Sequence, residues 1–238
     1  LTMGRGEILG VIGESGCGKS TLGRVLERLE DPTSGDVLID GVSTREILKQ
    51  DTKAFRRQVQ IIFQNPFDTF TPRDTIQKIL LRPLKHHGIG KDTEERIQMC
   101  KEALEAGGLR PAEDILSRYP HELSGGQLQR ISIIRSMFLD PGFIIADEPV
   151  SMLDVSVRAE IINMLISLAR DKNAAVVFIS HDIALTRYIS DNIAVMYLGR
   201  IVEYGSADEV IKDPQHPYTR ALISHRASVA PFEGHQEI

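Results

Sequence analysis

The sequence predicts an α/β fold with a mainly parallel β-sheet, and three observations support this prediction. Four continuous apolar runs, at residues 8–12, 59–63, 143–146 and 174–179, have the pattern of strands that helices cover on both faces. Helical patterns lie between them, for example at residues 155–169, and this alternation favours parallel pairing. Polar residues follow each run directly, at the sheet edge where open α/β sheets bind ligands.

The stretch between the second and third runs, residues 71–140, predicts an all-helical insert. Thr71, followed by a proline, is a suitable N-cap for a first helix, and Pro83 should end that helix. Asp92 and Glu95 form a capping-box pattern ahead of a second helix. The insert should therefore be a helical subdomain within the α/β core.

Composition excludes several classes of protein. The chain has 238 residues, of which 42% are hydrophobic and 26% charged, with a formal net charge of −5. This mildly acidic balance gives no support to a nucleic-acid surface. No apolar run approaches the roughly 20 residues that span a bilayer, and no signal peptide is visible. The two cysteines, Cys17 and Cys100, lie far apart, so we expect no disulfide and a reducing cytosol.

Residues 13–20, which read GESGCGKS, fit the phosphate-loop pattern G-x-x-x-x-G-K-[ST]. The pattern follows a predicted strand and precedes a predicted helix, which is the context that it requires. Its glycines let backbone N–H groups face phosphate oxygens, and the helix start adds positive dipole there. Lys19 should reach the β- and γ-phosphates, and the Ser20 hydroxyl should bind Mg²⁺. The alternative is a glycine-rich turn with an incidental lysine.

Polar side chains at the ends of the other three runs supply further candidates. Asp147 should bind Mg²⁺, and Glu148 should act as general base toward a water molecule. His181 follows the fourth run, where it could orient that water and contact the γ-phosphate. Gln64 follows the second run, and its amide oxygen could contact Mg²⁺ or water. Each residue alone could merely begin a loop; together they favour a shared site.

Residues 123–127, LSGGQ, predict a second anion site. Ser124 and Gln127 satisfy the S-x-x-Q capping pattern, and the two glycines between them expose backbone N–H groups at a helix N-terminus. The alternative is a well-capped helix without a ligand.

These motifs, in this order, resemble the ATPase subunits of ABC transporters along nearly the whole chain. The resemblance implies a P-loop NTPase fold with a RecA-like core at residues 1–70 and 141–238 and a helical signature subdomain at 71–140. In that family two ATPase domains pair head to tail, so that the signature of one closes over the γ-phosphate bound by the other. The resemblance implies nucleotide contacts, across both subunits, from Gly13, Glu14, Ser15, Gly16, Cys17, Gly18, Lys19, Ser20, Thr21, Ser124, Gly125, Gly126, Gln127 and the D-loop Asp154.

Three segments resemble the oligopeptide/dipeptide importer group, namely residues 140–155, residues 216–222 and Asn65-Pro66-Phe67. This resemblance implies an ATP- and Mg²⁺-dependent motor on the cytoplasmic face of the membrane. Its partners would be a second, identical or paralogous ATPase subunit, separate permease subunits and, indirectly, an extracytoplasmic substrate-binding protein. Some importers of this group carry oligosaccharides or nickel, so the substrate stays open.

The sequence departs from the family pattern in three places. No aromatic residue precedes Phe55, so the adenine-stacking residue, and part of an N-terminal antiparallel β-sheet, are expected to be missing. Most of the family's C-terminal extension after residues 216–218 is expected to be missing as well. Leu128 stands after the signature where Arg or Gln is more usual.

Three other classes of function remain as alternatives. Soluble ABC ATPases of DNA repair carry long coiled coils, for which the stretch between Gln64 and Leu123 is too short, and those of translation carry two ATPase domains in one chain. A small-molecule kinase would need an acceptor-binding lid and no LSGGQ. A degenerate regulatory domain would not be expected to keep both Glu148 and His181.

Overall fold

A computed structural model describes residues 1–226 of the chain. These residues form a six-stranded sheet and a separate two-stranded hairpin. The strands are β1 (Ile8–Ile12), β2 (Leu38–Ile39), β3 (Val42–Ser43), β4 (Val59–Ile62), β5 (Phe143–Asp147), β6 (Ala175–Ile179), β7 (Asn192–Tyr197) and β8 (Arg200–Ser206).

Helices cover the sheet and build the insert. They are α1 (Lys19–Leu26), α2 (Thr44–Gln50), α3 (Thr52–Gln58), α4 (Pro66–Thr69), α5 (Ile76–His87), α6 (Thr93–Ala106), α7 (Ala112–Ser117), α8 (Gly125–Met137), α9 (Val155–Asp171), α10 (Ile183–Ile189), α11 (Ala207–Lys212) and α12 (Pro217–Arg226), with a short 3-10 helix at Pro120–Glu122.

The main sheet has the strand order β4-β5-β6-β1-β7-β8, and every neighbouring pair is parallel except β7 with β8. The four apolar runs form β4, β5, β6 and β1, as predicted, and their side chains are mostly buried because helices lie on both faces. In the register of the sheet, both Val11 and Asp147 lie opposite Ile179. The carboxyl ends of the three central strands therefore lie level at one edge. The predicted α/β fold class is confirmed.

The predicted start of the first inserted helix is wrong. Helix α5 begins at Ile76 with Thr75, not Thr71, as its N-cap. Residues 71–74 form a turn instead, in which the Asp74 amide donates to the Thr71 carbonyl over 3.1 Å. The Ile76 amide donates to the carbonyl of Arg118 over 2.9 Å, and this long-range bond satisfies an amide that the first helical turn leaves unpaired.

The predicted end of that helix is also wrong, because Pro83 lies inside α5. A proline within a helix removes one backbone hydrogen bond and weakens the turn. The helix nevertheless continues through the fully buried Leu84 to His87, and ends where Gly88 adopts a left-handed conformation with φ 67°. Burial of Leu84 in the last turn offsets the missing bond. The second predicted helix is confirmed as α6, whose N-cap Asp92 accepts from the amide of Glu95.

The insert has an apolar cluster of its own. This cluster draws its buried members from α5, α6, α7 and α8 and the loops between them, including Ile76, Leu80, Leu84, Cys100, Leu104 and Leu128. Leu128, the unusual residue after the signature, is fully buried there, which gives its apolar character a packing role. Cys17 and Cys100 are both buried and free. Among residues 1–226, no helix combines the length and apolar character that crossing a bilayer requires.

The core around the sheet should be the main source of stability. A substitution of Phe178 on β6 tests this expectation. Its ring is fully buried, so Phe178→Ala should lower the free energy of unfolding by about 3–5 kcal/mol. Phe67→Ala, at a ring that is 47% exposed, is the control and should cost less than about 1 kcal/mol. Urea unfolding followed by circular dichroism measures both; equal effects would contradict this placement of the core.

Candidate active site

A pocket of about 470 Å³ lies at the carboxyl ends of β1, β4, β5 and β6. It brings together side chains that the sequence places far apart, as parallel pairing predicts. Its lining residues are Ser15, Gly16, Gly18, Lys19, Ser20, Thr21, Gln64, Asp147, Glu148, Ile179 and His181. Ten of these eleven are predicted site residues; the other, Ile179, ends β6.

The phosphate loop runs from the end of β1 into α1. Gly16 and Gly18 have φ values of 79° and 106°, which favour glycine because other residues are strained there. The buried Lys19 ammonium donates to the carbonyl oxygens of Gly13 and Glu14, both over 2.9 Å. The lysine therefore spans the loop and lies at the start of a helix, where positive dipole and ammonium charge favour an anion.

Three of the nucleotide contacts predicted within the phosphate loop do not line the pocket. A Cβ on Gly13 would lie 2.3 Å from the carbonyl oxygen of Met196, so this glycine is needed for close packing against β7. Cys17 is buried, and its sulfur lies 3.8 Å from the Lys19 nitrogen. The side chain of Glu14 is exposed. Contacts from these three residues to a nucleotide stay a prediction.

Asp147, at the end of β5, has the environment of a cation ligand. Its Oδ1 atom is buried and has no hydrogen-bond partner. Burial raises the pKa of this carboxyl, and the neighbouring Glu148 raises it further, whereas Lys19, Arg24 and a hydrogen bond with Ser20 lower it. An unpaired buried carboxylate oxygen is costly unless something binds it. The carboxylate of Asp147, the Ser20 hydroxyl and the Gln64 amide are all oxygen ligands of the kind that Mg²⁺ prefers, so the residues fit this ion.

No group of three or more His, Cys, Asp or Glu side chains suited to a metal occurs within residues 1–226. This finding does not conflict with the predicted magnesium site, because Mg²⁺ is usually bound through one or two carboxylates, together with waters and the phosphates of the substrate.

Glu148 and His181 form a direct pair across the pocket. The Glu148 Oε2 atom lies 2.7 Å from His181 Nδ1, and the carboxylate is far less exposed than the imidazole. Glu148 has φ 50°, a left-handed conformation that costs a non-glycine residue energy. Its amide donates to the Ile179 carbonyl and its carbonyl accepts from the Ser151 hydroxyl, and these bonds hold the strained backbone. The Glu148 carboxylate thus lines the pocket in a fixed position, and its action as general base stays a prediction.

The signature lies elsewhere on the chain, at the N-terminus of α8, and none of its residues lines this pocket. The predicted capping box is present: Ser124 Oγ accepts from the Gln127 amide over 3.3 Å, and Gln127 Oε1 accepts from the Ser124 amide over 3.0 Å. A Cβ on Gly126 would lie 2.7 Å from Val157 Cγ1 of α9, so packing alone already requires this glycine. Asp154 precedes α9 without capping it through its side chain.

One residue outside the predicted set, Gln129, joins the signature helix to the Gln64 segment. Its side chain is fully buried, and its Nε2 atom donates to the carbonyl of Phe63 over 3.3 Å, one residue before Gln64. Its Oε1 atom is buried without a partner. The signal was available, since Gln129 is a polar residue between Leu128 and Ile131 on the buried face of α8.

The raised pKa of Asp147 gives a prediction with a definite sign. Because the folded-state pKa is raised, protonation favours the fold below the ordinary aspartate pKa, and this contribution is lost as the pH rises through the folded value. Asp147→Asn should therefore raise the melting temperature of the nucleotide-free protein at pH 7, and the difference should vanish near pH 4. The same variant should lose Mg²⁺-dependent stabilisation by ATP. Thermal melting with and without Mg²⁺-ATP measures both effects.

Asp208→Asn is the matched control, since its pKa is lowered, chiefly by a hydrogen bond with Lys212 and then by one with Arg187. A lowered pKa gives stability above the ordinary pKa that is lost as the pH falls through the folded value. This variant should lower, not raise, the melting temperature at pH 7 and leave the response to Mg²⁺-ATP intact. A destabilised Asp147→Asn would contradict the strain assigned to the buried carboxylate.

Comparisons with curated proteins find relatives over most of the chain. The oligopeptide transport ATP-binding protein OppF of Bacillus subtilis is 47% identical over 222 residues, which are 92% of this chain and 72% of OppF. A second B. subtilis relative, YkfD, is 48% identical over 219 residues, or 92% of this chain and 66% of YkfD. The chain thus spans about two thirds of the length of the curated relatives that it matches.

Solved structures with the same fold include the dimeric ATP-binding cassette MJ0796 in a post-hydrolysis state with ADP and phosphate. It is 30% identical, with a TM-score of 0.76, over 87% of this chain and 88% of that one. The cbiO1 protein of Clostridium perfringens, part of the ABC transporter complex cbiONQ, is 25% identical with a TM-score of 0.76, over 90% of this chain and 82% of that one. The model of the ABC transporter family matches residues 1–151, which contain the phosphate loop, Gln64 and the signature. The chain therefore belongs to the ABC transporter family, as its ATP-binding cassette.

Proposed function

We propose that this chain is the ATP-hydrolysing subunit of an ABC importer for oligopeptides or dipeptides. The observation that carries the proposal is the arrangement in one pocket of an anion-binding loop, an unpaired buried carboxylate oxygen on Asp147 and the Glu148–His181 pair. The names of the curated relatives support peptide as the cargo. No described feature favours an oligosaccharide or nickel.

The reaction that these residues fit is in-line attack of water on the γ-phosphate of ATP. Amides of the phosphate loop and the Lys19 ammonium bind the β- and γ-phosphates and stabilise the charge of the transition state. Asp147 and Ser20, with Gln64, would hold Mg²⁺, which when bound neutralises charge on the phosphate oxygens. Glu148 takes the proton of the attacking water, and His181, bonded to it over 2.7 Å, fixes the carboxylate in place.

The site needs a second subunit to be complete. Ser124 is exposed at the tip of α8, remote in sequence from the phosphate loop and outside its pocket. A helix N-terminus with free amides suits a phosphate, so the signature of a partner would cap the nucleotide bound by this chain. Glu14, Cys17 and Asp154 would also contact the nucleotide, as the resemblance implies. The dimeric cassette among the similar structures supports this arrangement.

Coupling to permease subunits would pass through the boundary between core and insert. We assign residues 1–70 and 141–238 to the core and 71–140 to the helical subdomain; residues 227–238 lie outside the described residues. A groove of about 470 Å³ runs along this boundary, and its lining includes Phe63, Phe70, Arg82 and Arg135. Gln129 ties α8 to the Phe63 carbonyl on its edge. A permease segment seated there would place the chain on the cytoplasmic face of the membrane.

Nucleotide binding should depend on Lys19. Lys19→Ala removes the charge that compensates the phosphates and should weaken ATP binding at least about 100-fold, since charge-assisted hydrogen bonds are worth roughly 1.5–3 kcal/mol each. Lys49→Ala, on the exposed face of α2, is the control and should leave affinity unchanged. Titration with a fluorescent ATP analogue measures both. Unchanged affinity of Lys19→Ala would refute the phosphate-loop assignment.

Hydrolysis should depend on Glu148. Glu148→Gln keeps the shape of the side chain but cannot accept the proton, so turnover should fall at least about 100-fold while ATP binding persists. ATP should then hold the subunits together, as an ATP-dependent dimer in analytical ultracentrifugation. Adding Ser124→Ala should weaken that dimer if the signature caps the partner's nucleotide.

Glu46→Gln, at an exposed carboxylate on α2, should behave as the parent chain in both measurements. Turnover by Glu148→Gln at the rate of the parent chain would contradict the role of Glu148 as general base. A dimer that forms equally well with and without the Ser124 hydroxyl would contradict the head-to-tail arrangement, but it would not contradict the assignment of ATP hydrolysis to this chain.

A further inference from the structure

The phosphate loop is held on its outer side by the C-terminal part of the chain. The amide of Gly199, in the turn between β7 and β8, donates to the Cys17 carbonyl over 2.9 Å. The amide of Glu14, in the loop, donates to the hydroxyl oxygen of Tyr218 over 3.0 Å. Tyr218 lies on α12, 204 positions along the chain and outside the residues that the family model matches. None of the four residues that form these two bonds lines the pocket.

Tyr218 is itself fixed from several directions. Its ring packs against that of Tyr197, with 4.2 Å between the ring centroids. Its amide donates to His216 Nδ1 over 3.1 Å, and the amides of Gln215 and His216 donate to the Glu203 carboxylate over 2.7 and 3.0 Å. Below them, Leu222 of α12 is buried in the apolar cluster around the end of the sheet. The hydroxyl is thus a fixed point on the body of the protein.

A fixed hydrogen-bond acceptor beside the phosphate loop should raise the affinity of the loop for a nucleotide. The glycines of the loop allow it many conformations, and ordering it on a nucleotide costs entropy. A hydrogen bond that holds the Glu14 peptide in place before the ligand arrives reduces that cost and so raises affinity. Burial raises the pKa of Tyr218 above its ordinary value, so the phenol stays neutral and accepts the bond throughout the physiological pH range.

We infer that Tyr218 is a positioning residue for nucleotide binding, which holds the Glu14 peptide of the phosphate loop in its binding conformation and links the C-terminal helix to the nucleotide site. This inference rests on the proposed function, since it names a further residue of the same site. Tyr218 does not line the pocket; it acts through the backbone of Glu14. Changes in α12 should therefore alter nucleotide affinity.

The test is Tyr218→Phe, which removes the hydroxyl and keeps the ring against Tyr197. One neutral hydrogen bond corresponds to about a threefold to tenfold loss of affinity for ATP and ADP. Without nucleotide, hydrogen exchange measured by mass spectrometry should become faster in the peptide that covers residues 13–20. Exchange in peptides from the sheet should not change, and neither should the melting temperature of the nucleotide-free protein.

Two other tyrosines provide matched controls. Tyr197→Phe removes a hydroxyl from the same ring pair, and Tyr188→Phe removes one that donates to Asn163 on α9. Both should bind ATP as the parent chain does and leave exchange at residues 13–20 unchanged.

Three results would overturn the inference. One is a Tyr218→Phe variant with affinity and loop exchange like those of the parent chain. Another is faster exchange throughout the sheet with a lower melting temperature, which would make Tyr218 a general packing residue. The third is an equal effect in Tyr197→Phe. A parent chain that binds no ATP would instead contradict the proposed function, and the exchange rates of the nucleotide-free loop would still decide the role of Tyr218.

Discussion

The parallel register of the central strands is the constraint on which the site depends. Asp147 and Val11 both lie opposite Ile179, so the phosphate loop, the two carboxylates and His181 leave the sheet at the same level. Continuous apolar strands with polar residues at their ends favour this register, because a slip would draw those polar residues into a sheet that is buried on both faces. The geometry of the pocket is thus set by side chains such as Phe178 that never contact a ligand.

That buried frame supports features that would be unfavourable elsewhere. The Asp147 Oδ1 atom lies buried without a partner, and Glu148 adopts a left-handed backbone conformation. Such groups persist only where the surrounding structure over-determines them. Both lie within two residues at the end of one strand. Under the proposed function a ligand accounts for both, since a cation would satisfy the Asp147 oxygen and the strained turn directs the Glu148 carboxylate at the pocket. Stability and function therefore oppose each other at this strand end.

Most of the fold and of the pocket could be predicted from local patterns in the sequence. The features that could not be predicted depend on contacts between residues that are far apart in the chain. The four apolar runs and the loop GESGCGKS are each complete within a few residues, so their roles could be predicted from the residues alone. Thr71 and Thr75 are equally good caps locally, and the choice of Thr75 depends on the bond from the Ile76 amide to Arg118. The bond between Glu14 and Tyr218 likewise has no local signal, since its partners are 204 positions apart.

The phosphate loop consequently has two sides with different chemistry. Its inner side offers amides and the Lys19 ammonium to an anion, as any phosphate loop does. Its outer side is bonded to the β7–β8 turn and to α12, elements that lie beyond the family match at residues 1–151. The inner side explains why the chain should bind a nucleotide at all. By our inference, the outer side is where affinity can be adjusted from residues outside the pocket, and its bond to Tyr218 ties the end of the described chain to the loop after its first strand.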